Sequence, residues 1–316
     1  MKVRLANKRD VATDICEFEL VSVDGSALPA FTAGAHIDVH VADGLIRQYS
    51  LCNAPGETHR YCVGVLRDPQ SRGGSVGMHA LAVGTEIEIS APRNHFPLKD
   101  GAKHSILLAG GIGVTPILCM AEALAASGAS FEVHYCTREP ARTAFRDRFA
   151  SAGIADKTQF YFDSEGARAD LDAILAQPSG GKHLYVCGPA GFIDAVLTRA
   201  EAAQWPEGNV HREYFAAPVS ANTDGEGDKP FQVKLHSSGR VIDVKVGETI
   251  VAALAAQGVE VQMSCEQGVC GTCLTRVVDG TPDHRDVYLT DDERAANDQI
   301  LPCCSRSKSP VLVLDL

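Results

Sequence analysis

The sequence predicts a multidomain chain of mixed all-β and α/β class: an antiparallel β-barrel, a doubly wound parallel α/β domain and a small C-terminal domain. Three observations predict this. Apolar and polar residues alternate through the first hundred positions with the period of two that half-buried strands require. From about residue 104, apolar runs of strand length alternate with glycine loops and helical stretches, the texture of a parallel sheet covered on both faces. Residues 220–229 are then polar, with two glycines and almost nothing to bury, which suits an exposed linker. At roughly 150 residues per domain, 316 residues fit two domains or three small ones.

In the barrel region Ile37, Val39 and Val41 alternate with Asp38, His40 and Ala42, while Ile87 and Ile89 alternate with Glu86, Glu88 and Ser90. Asp24-Gly25, Asp43-Gly44 and Pro55-Gly56 supply the turns. The second domain opens with an apolar strand at 105–109, a glycine loop and an uncharged helix from Pro116 to about Ser127, stopped by Gly128. Further strands are expected at 131–136, 159–163, 183–187 and 210–214, with helices around 144–150, 170–177 and 190–203. Beyond the linker, 231–235, 241–246 and 311–314 suit strands, and 249–257 a short helix with Thr249 near its start. The expected boundaries are therefore 1–101, 102–221, a linker at 222–229, and 230–316.

Hydrophobic residues make up 45% of the chain and charged residues 22%, which excludes a largely disordered protein. A net charge of −11 argues against nucleic acid and anionic membranes as partners. No apolar run follows the basic N-terminal residues, so no signal peptide is expected. The longest uncharged stretch, 105–121, is interrupted by Gly110, Gly111, Gly113 and Pro116, which do not suit a membrane span. A cytoplasmic protein is expected.

Eleven cysteines, an odd number without an export signal, argue against a disulfide framework. Cys16, Cys52, Cys62, Cys119, Cys136 and Cys187 lie among apolar neighbours and suit buried thiols. The other five cluster near the C-terminus. Cys265, Cys270 and Cys273 form C-x4-C-x2-C, and Cys303-Cys304 follow, the plant-type [2Fe–2S] spacing. Two irons need four soft thiolates, and Gly268 and Gly271 let the loop curl so that backbone N–H groups face the sulfurs. Zinc favours tight cysteine pairs at both ends, and adjacent Cys303 and Cys304 cannot both reach one iron.

Arg47-Gln48-Tyr49-Ser50 suits a flavin strand: arginine for phosphate, an aromatic against the ring system, a hydroxyl near the reactive nitrogen. Arg72-Gly73-Gly74-Ser75 adds a second guanidinium, two backbone donors and Ser75 as a helix N-cap. These groups converge on one terminal phosphate with no motif for an adenylate half, so FMN is expected rather than FAD. Gly110-Gly111-Ile112-Gly113-Val114-Thr115-Pro116 follows a strand and opens a helix, with Thr115 expected as N-cap and Pro116 as first helical residue. Cys187-Gly188-Pro189 is a second such turn. In a 3-2-1-4-5 strand order both loops flank the switch point, where ligands bind.

These motifs, with Leu51-Cys52-Asn53 and Cys303-Cys304-Ser305-Arg306, resemble the reductases of two-component Rieske oxygenases, of the phthalate dioxygenase and vanillate demethylase type. The resemblance covers essentially the whole chain, and its most specific feature is the ferredoxin at the C-terminal end. It implies a β-grasp ferredoxin domain, oxidation of NADH, FMN as hydride acceptor, and passage of electrons through the cluster to a terminal oxygenase by a monomer. Hydride carries two electrons and the cluster accepts one, so a flavin must stand between them. The resemblance places Ser50, Cys187 and Phe215 at the reaction centre, with Phe215 covering the flavin and Tyr214 as second choice. It adds Gly64, Val65 and Leu66 to the flavin contacts and makes Cys303 the fourth ligand. Arg138-Glu139 mixes a residue that favours a 2′-phosphate with one that repels it, and the resemblance decides for NADH. The competing expectations are an NADPH-linked reductase for a cytochrome P450 or other oxygenase, and an electron-carrier module without reductase activity.

Overall fold

The computed structural model describes residues 1–42, 44–216 and 228–316. Asp43 of the expected Asp43-Gly44 turn and residues 217–227, which include most of the expected linker at 222–229, lie outside the described residues. The chain forms two compact units, Met1–Tyr214 and Phe215–Leu316.

The first unit begins with six antiparallel strands: β1 (Lys2–Ala12), β2 (Ile15–Ser22), β3 (His36–Ala42), β4 (Leu45–Ser50), β5 (Tyr61–Leu66) and β6 (Glu86–Ile89). Their order is β4-β3-β6-β1-β2-β5. The sheet closes where the chain leaves β4, because Leu51 bridges to Val63 and Cys52 N–H donates to the Cys62 carbonyl at 2.8 Å. This is the expected barrel, and its core holds Val3, Leu5, Phe18, Leu20, Ile37, Val39 and Val63. One polar position breaks the alternation: Asp38 is buried and ion-paired with Arg93. Helix α1 (Gly74–Ala80) is capped by Gly73 at φ 94°. The expected cap, Ser75, instead lies inside the helix, where its Oγ accepts the Asp68 N–H at 3.1 Å.

Five parallel strands follow: β7 (His104–Gly110), β8 (Phe131–Thr137), β9 (Thr158–Phe162), β10 (Lys182–Gly188) and β11 (Val210–Tyr214). Their order, β11-β10-β7-β8-β9, reverses at β7 as a 3-2-1-4-5 fold requires. Helix α2 (Val114–Ser127) shares one continuous core with the barrel, whereas α4 (Leu171–Leu175) and α5 (Ala190–Ala202) cover the other face through Leu175, Ile193 and Val196. A single turn, α3 (Arg146–Phe149), lies between β8 and β9. Gly128, left-handed at φ 70°, ends α2 as expected. The start differs. A 3-10 turn over Gly111–Gly113 runs directly into the helix, so Thr115 and Pro116 sit within its first turn. Pro116 is tolerated there because first-turn N–H groups have no intrahelical acceptor. Thr115 Oγ1 donates back to the Ile112 carbonyl at 3.2 Å rather than capping.

The second unit contains β12 (Phe231–Leu235), β13 (Val241–Val244), β14 (Thr275–Asp279), β15 (Pro282–Asp283), β16 (Gln299–Ile300), β17 (Arg306–Ser307) and β18 (Val311–Leu314). A mixed sheet in the order β13-β12-β18-β14-β16, with β12 and β18 parallel, is covered by α6 (Ile250–Ala256) in a β-grasp arrangement. Thr249 caps α6 by accepting the Ala252 N–H at 3.2 Å. A second helix, α7 (Asp291–Ala296), starts in a Thr290–Glu293 capping box. Strand β13 stops two residues earlier than expected, and Val246 is exposed.

Within the first unit, Arg148 ties the barrel to the parallel sheet. It donates to both Glu122 carboxylate oxygens at 2.9 and 2.7 Å and to the Cys52 carbonyl at 2.5 Å, with Glu17 at 3.6 Å. Replacing it strands two acidic groups and a carbonyl. Arg148→Ala should therefore destabilise the first unit by about 2 kcal/mol, read as a lowered denaturant midpoint.

Candidate redox site

Strand β4 presents Arg47 and Tyr49 on one face and Gln48 and Ser50 on the other, as alternation dictates. The Arg47 side chain lies across Gly74: a Cβ there would stand 2.6 Å from Arg47 Cγ and 3.0 Å from Nε. The two segments expected to hold a flavin phosphate, 47–50 and 72–75, thus meet at a point that only glycine allows. Tyr49 packs against the barrel core, and burial pushes its phenol well above the ordinary value, with Arg47 opposing. Gln48 turns away, its Nε2 beside His36 Nε2 at 3.2 Å. Gly64 and Val65 are buried and Leu66 half-buried. A Cβ on Gly64 would sit 2.8 Å from Thr115 Cγ2 and 3.0 Å from Phe145, so its bareness lets α2 approach the barrel.

The two glycine loops of the parallel sheet press together where strand order reverses. A Cβ on Gly113 would overlap the Cys187 carbonyl and stand 2.5 Å from Gly188 N, and one on Gly110 would lie 3.0 Å from Pro189 Cδ. Gly111, beside them, faces open space. The loops therefore pack together at the carboxyl ends of β7 and β10, the position at which nucleotides bind in such sheets. At the end of β8, Arg138 is exposed and Glu139 is held by Arg142 Nε at 3.1 Å.

Barrel and parallel sheet also meet at Glu213, a residue that sequence reasoning missed. Ser50 Oγ donates to Glu213 Oε2 at 3.4 Å, and Glu213 stands opposite Cys187 in the parallel pairing of β10 and β11. Burial pushes the Glu213 carboxyl up to about 8, against the bond from Ser50. Cys187 is fully buried, and burial first, then Glu213, raises its thiol well above the ordinary value. Ser50 and Cys187 are thus brought together through Glu213. The signal was an acidic residue ending a strand beside Tyr214-Phe215. Tyr214 turns elsewhere, its hydroxyl donating to Asp194 at 2.9 Å, while Phe215 follows β11 directly and is 40% exposed.

In the second unit the loop from Cys265 to Cys273 is built on N–H···S hydrogen bonds. Gln267 N–H donates to Cys265 Sγ and Thr272 N–H to Cys270 Sγ, each at 3.4 Å. The Cys265 thiol interacts with those of Cys270 and Cys303, and Cys303 also meets Cys273 and Cys304. Cys304 Sγ lies at the same cluster of sulfurs, against Gly268 and 3.7 Å from both the Leu301 carbonyl and Ser305 Oγ. Neighbouring thiols with two N–H···S donors on their loop are the chemistry a [2Fe–2S] centre uses, since such donors stabilise its charge.

Comparison with known proteins agrees with this geometry. Residues 233–308 match the family described as 2Fe-2S iron-sulfur cluster binding domain, and residues 85–210 the dimethylamine monooxygenase subunit DmmA-like N-terminal domain. The vanillate O-demethylase oxidoreductase of Pseudomonas putida is 55% identical over 315 residues, 99% of this chain and 98% of that protein. The chain belongs to the vanillate O-demethylase oxidoreductase family. Within that family's fold, phthalate dioxygenase reductase, described as a modular structure for electron transfer from pyridine nucleotides to [2Fe-2S], superposes with a TM-score of 0.76 and 40% identity, covering 100% of this chain and 98% of that one. An intact type IV self-sufficient cytochrome P450 monooxygenase matches with a TM-score of 0.89 and 38% identity, covering 100% of this chain and 41% of that one. Family membership makes this chain an oxidoreductase with an iron–sulfur domain. Among the described residues no helix is long and apolar enough to cross a membrane.

The raised Glu213 carboxyl has a measurable sign. Below its ordinary value of 4.5 both folded and unfolded chains hold the proton. Between 4.5 and about 8 only the unfolded chain releases it, so stability falls as pH rises, and the loss is complete above about 8. Denaturant midpoints of the wild type should fall over that range relative to Glu213→Gln. Parallel curves would show a carboxylate ionised throughout.

Proposed function

We propose that this chain is the reductase component of a Rieske-type aromatic oxygenase, taking hydride from NADH onto FMN and passing single electrons through its [2Fe–2S] centre to the oxygenase. The observation that carries this is the meeting of Ser50 from the barrel with Glu213 and Cys187 from the parallel sheet. It puts the end of the flavin strand against the end of the nucleotide crevice, so the two bound molecules would face each other across one junction. Family membership supplies the acceptor class, since these relatives are named as parts of oxygenase systems.

In this reading Arg47, Arg72 and the Gly73-Gly74-Ser75 turn hold the FMN phosphate, Tyr49 lies against the ring system, and Gln48, Gly64, Val65 and Leu66 complete the strand contacts. Gly110, Gly111, Gly113, Thr115, Pro116, Gly188 and Pro189 form the nucleotide loops. Cys187 and Phe215 flank the reacting ring, and Ser50 with Glu213 holds a proton at the junction. Cys265, Cys270, Cys273 and Cys303 are the ligands. The segments 1–101, 102–221 and 230–316 work as flavin, nucleotide and ferredoxin domains joined at 222–229, in a cytoplasmic monomer. FMN supplies the conversion of one hydride into two single electrons. The alternative, an NADPH-linked reductase serving a cytochrome P450 or other oxygenase, is not favoured, because relatives matching nearly end to end carry the names of an O-demethylase oxidoreductase and a phthalate dioxygenase reductase.

Acid extraction should release FMN, and FAD in its place would end this assignment. Anaerobic NADH should bleach both flavin and iron–sulfur absorption, with kcat/KM for NADH about tenfold or more above that for NADPH; parity would mean that Glu139, held by Arg142, does not repel a 2′-phosphate. Bleaching by NADH also separates a reductase from an electron carrier, which would not react.

Single substitutions test the ligand set. Cys303→Ser should lose or alter the EPR signal of the reduced centre, whereas Cys304→Ser should keep it. The opposite result moves the ligand by one residue.

A further inference from the structure

We propose that Asp286 is a positioning residue for the iron–sulfur centre: its buried carboxylate holds the Cys303 segment, its backbone packs against the Cys265–Cys273 loop, and its charge holds the reduction potential down. This rests on Cys265, Cys270, Cys273 and Cys303 being the ligands. Asp286 carries no sulfur and lies in a stretch between the two cysteine segments, yet it touches both. Its Oδ1 accepts from Ser305 Oγ at 3.4 Å, and Ser305, fully buried, stands two residues beyond Cys303. The same hydroxyl accepts the Arg285 N–H at 3.1 Å, so the segment after Cys303 is held from two sides. On the other flank, Val287 N–H donates to the Gly268 carbonyl at 3.1 Å, and a Cβ on Gly268 would stand 2.9 Å from Asp286 Cα. Gly268 lies between Cys265 and Cys270.

The charge matters as much as the contacts. Asp286 is 4% exposed, and a buried carboxylate is costly unless its surroundings answer it. The remaining partner of Oδ2 is the Leu289 N–H at 2.9 Å, and His284 Nδ1 stands 3.7 Å from Oδ1. The neighbouring guanidinium of Arg285 pairs with Asp283 and Asp228, and Arg294 donates to the backbone carbonyl of Asp286 at 2.6 Å. The carboxylate is thus answered by hydrogen bonds from Ser305 and Leu289, with His284 close by. An anion embedded beside the cysteine loops disfavours the extra electron of the reduced centre, because net charge near such a centre sets its potential.

The test uses the full-length protein with its native cofactors. Asp286→Asn keeps the shape and removes the charge. It should retain wild-type iron, acid-labile sulfide and flavin, and its potential in an EPR-monitored redox titration at fixed pH should rise. The expected size is on the order of tenfold in the electron-sharing equilibrium, ~59 mV for one electron. A fully loaded Asp286→Asn protein with the wild-type potential overturns the proposal. Should that variant assemble no centre, Ser305→Ala gives the second measurement. It deletes one donor to the carboxylate and leaves the charge less neutralised, so the potential should fall; an unchanged value overturns the proposal as well. A wild-type protein without acid-labile sulfide would instead refute the ligand reading beneath it.

Discussion

The close docking of the barrel on the parallel sheet is the constraint on which the rest of the first unit depends. One apolar core runs through both, from Val3 and Phe18 in the barrel to Val114, Ile117 and Leu118 on α2. Hydrophobic burial holds such layers together but does not fix their register. Directional contacts do that here. Gly64 allows α2 to approach to within van der Waals distance, and Arg148 grips Glu122 on α2 and the Cys52 carbonyl in the barrel. With those in place, Ser50 reaches Glu213, and two segments more than 130 residues apart in sequence come into contact.

The second unit solves a different problem with similar means. Four thiols must converge without a disulfide, and the loop that presents three of them is shaped by N–H···S bonds from Gln267 and Thr272. The segment that follows braces this loop from outside through Val287 and Asp286, while Arg306 anchors the strand after Cys303 by donating to the Glu248 and Lys245 carbonyls. The cysteine loop is thereby shaped by hydrogen bonds from residues other than the cysteines themselves.

Much of this was legible in the sequence because it is local. Alternation at Ile37 and Val39 marked the barrel, glycine loops after apolar runs marked the parallel sheet and its strand order, and the spacing of Cys265, Cys270 and Cys273 marked the cluster domain. The misreadings have physical reasons. Thr115 and Ser75 have the chemistry of helix caps, but the backbone turned into helix before reaching them, through Gly111–Gly113 and through Gly73 in the left-handed region. Asp38 looked solvent-facing by alternation and is buried because Arg93, distant in sequence, comes to pair with it. Glu213 offers only an acidic residue at a strand end, with no motif of its own. Its significance arises only when β11 lands beside β10 and the barrel supplies Ser50, which is tertiary information.

The scattered cysteines gain a meaning from their burial. Desolvation lifts the thiols of Cys52, Cys119 and Cys136 to about 12 and that of Cys16 to about 11, with the Asp10 contact adding to the effect at Cys16. Nucleophilic attack on peroxides and disulfides belongs to the thiolate, so groups held protonated are slow to be oxidised. A flavin exposed to dioxygen is a source of peroxide, and a chain with eleven cysteines would otherwise be vulnerable to its own chemistry. Held as thiols, these four sulfurs are poor nucleophiles and serve the chain as small apolar side chains.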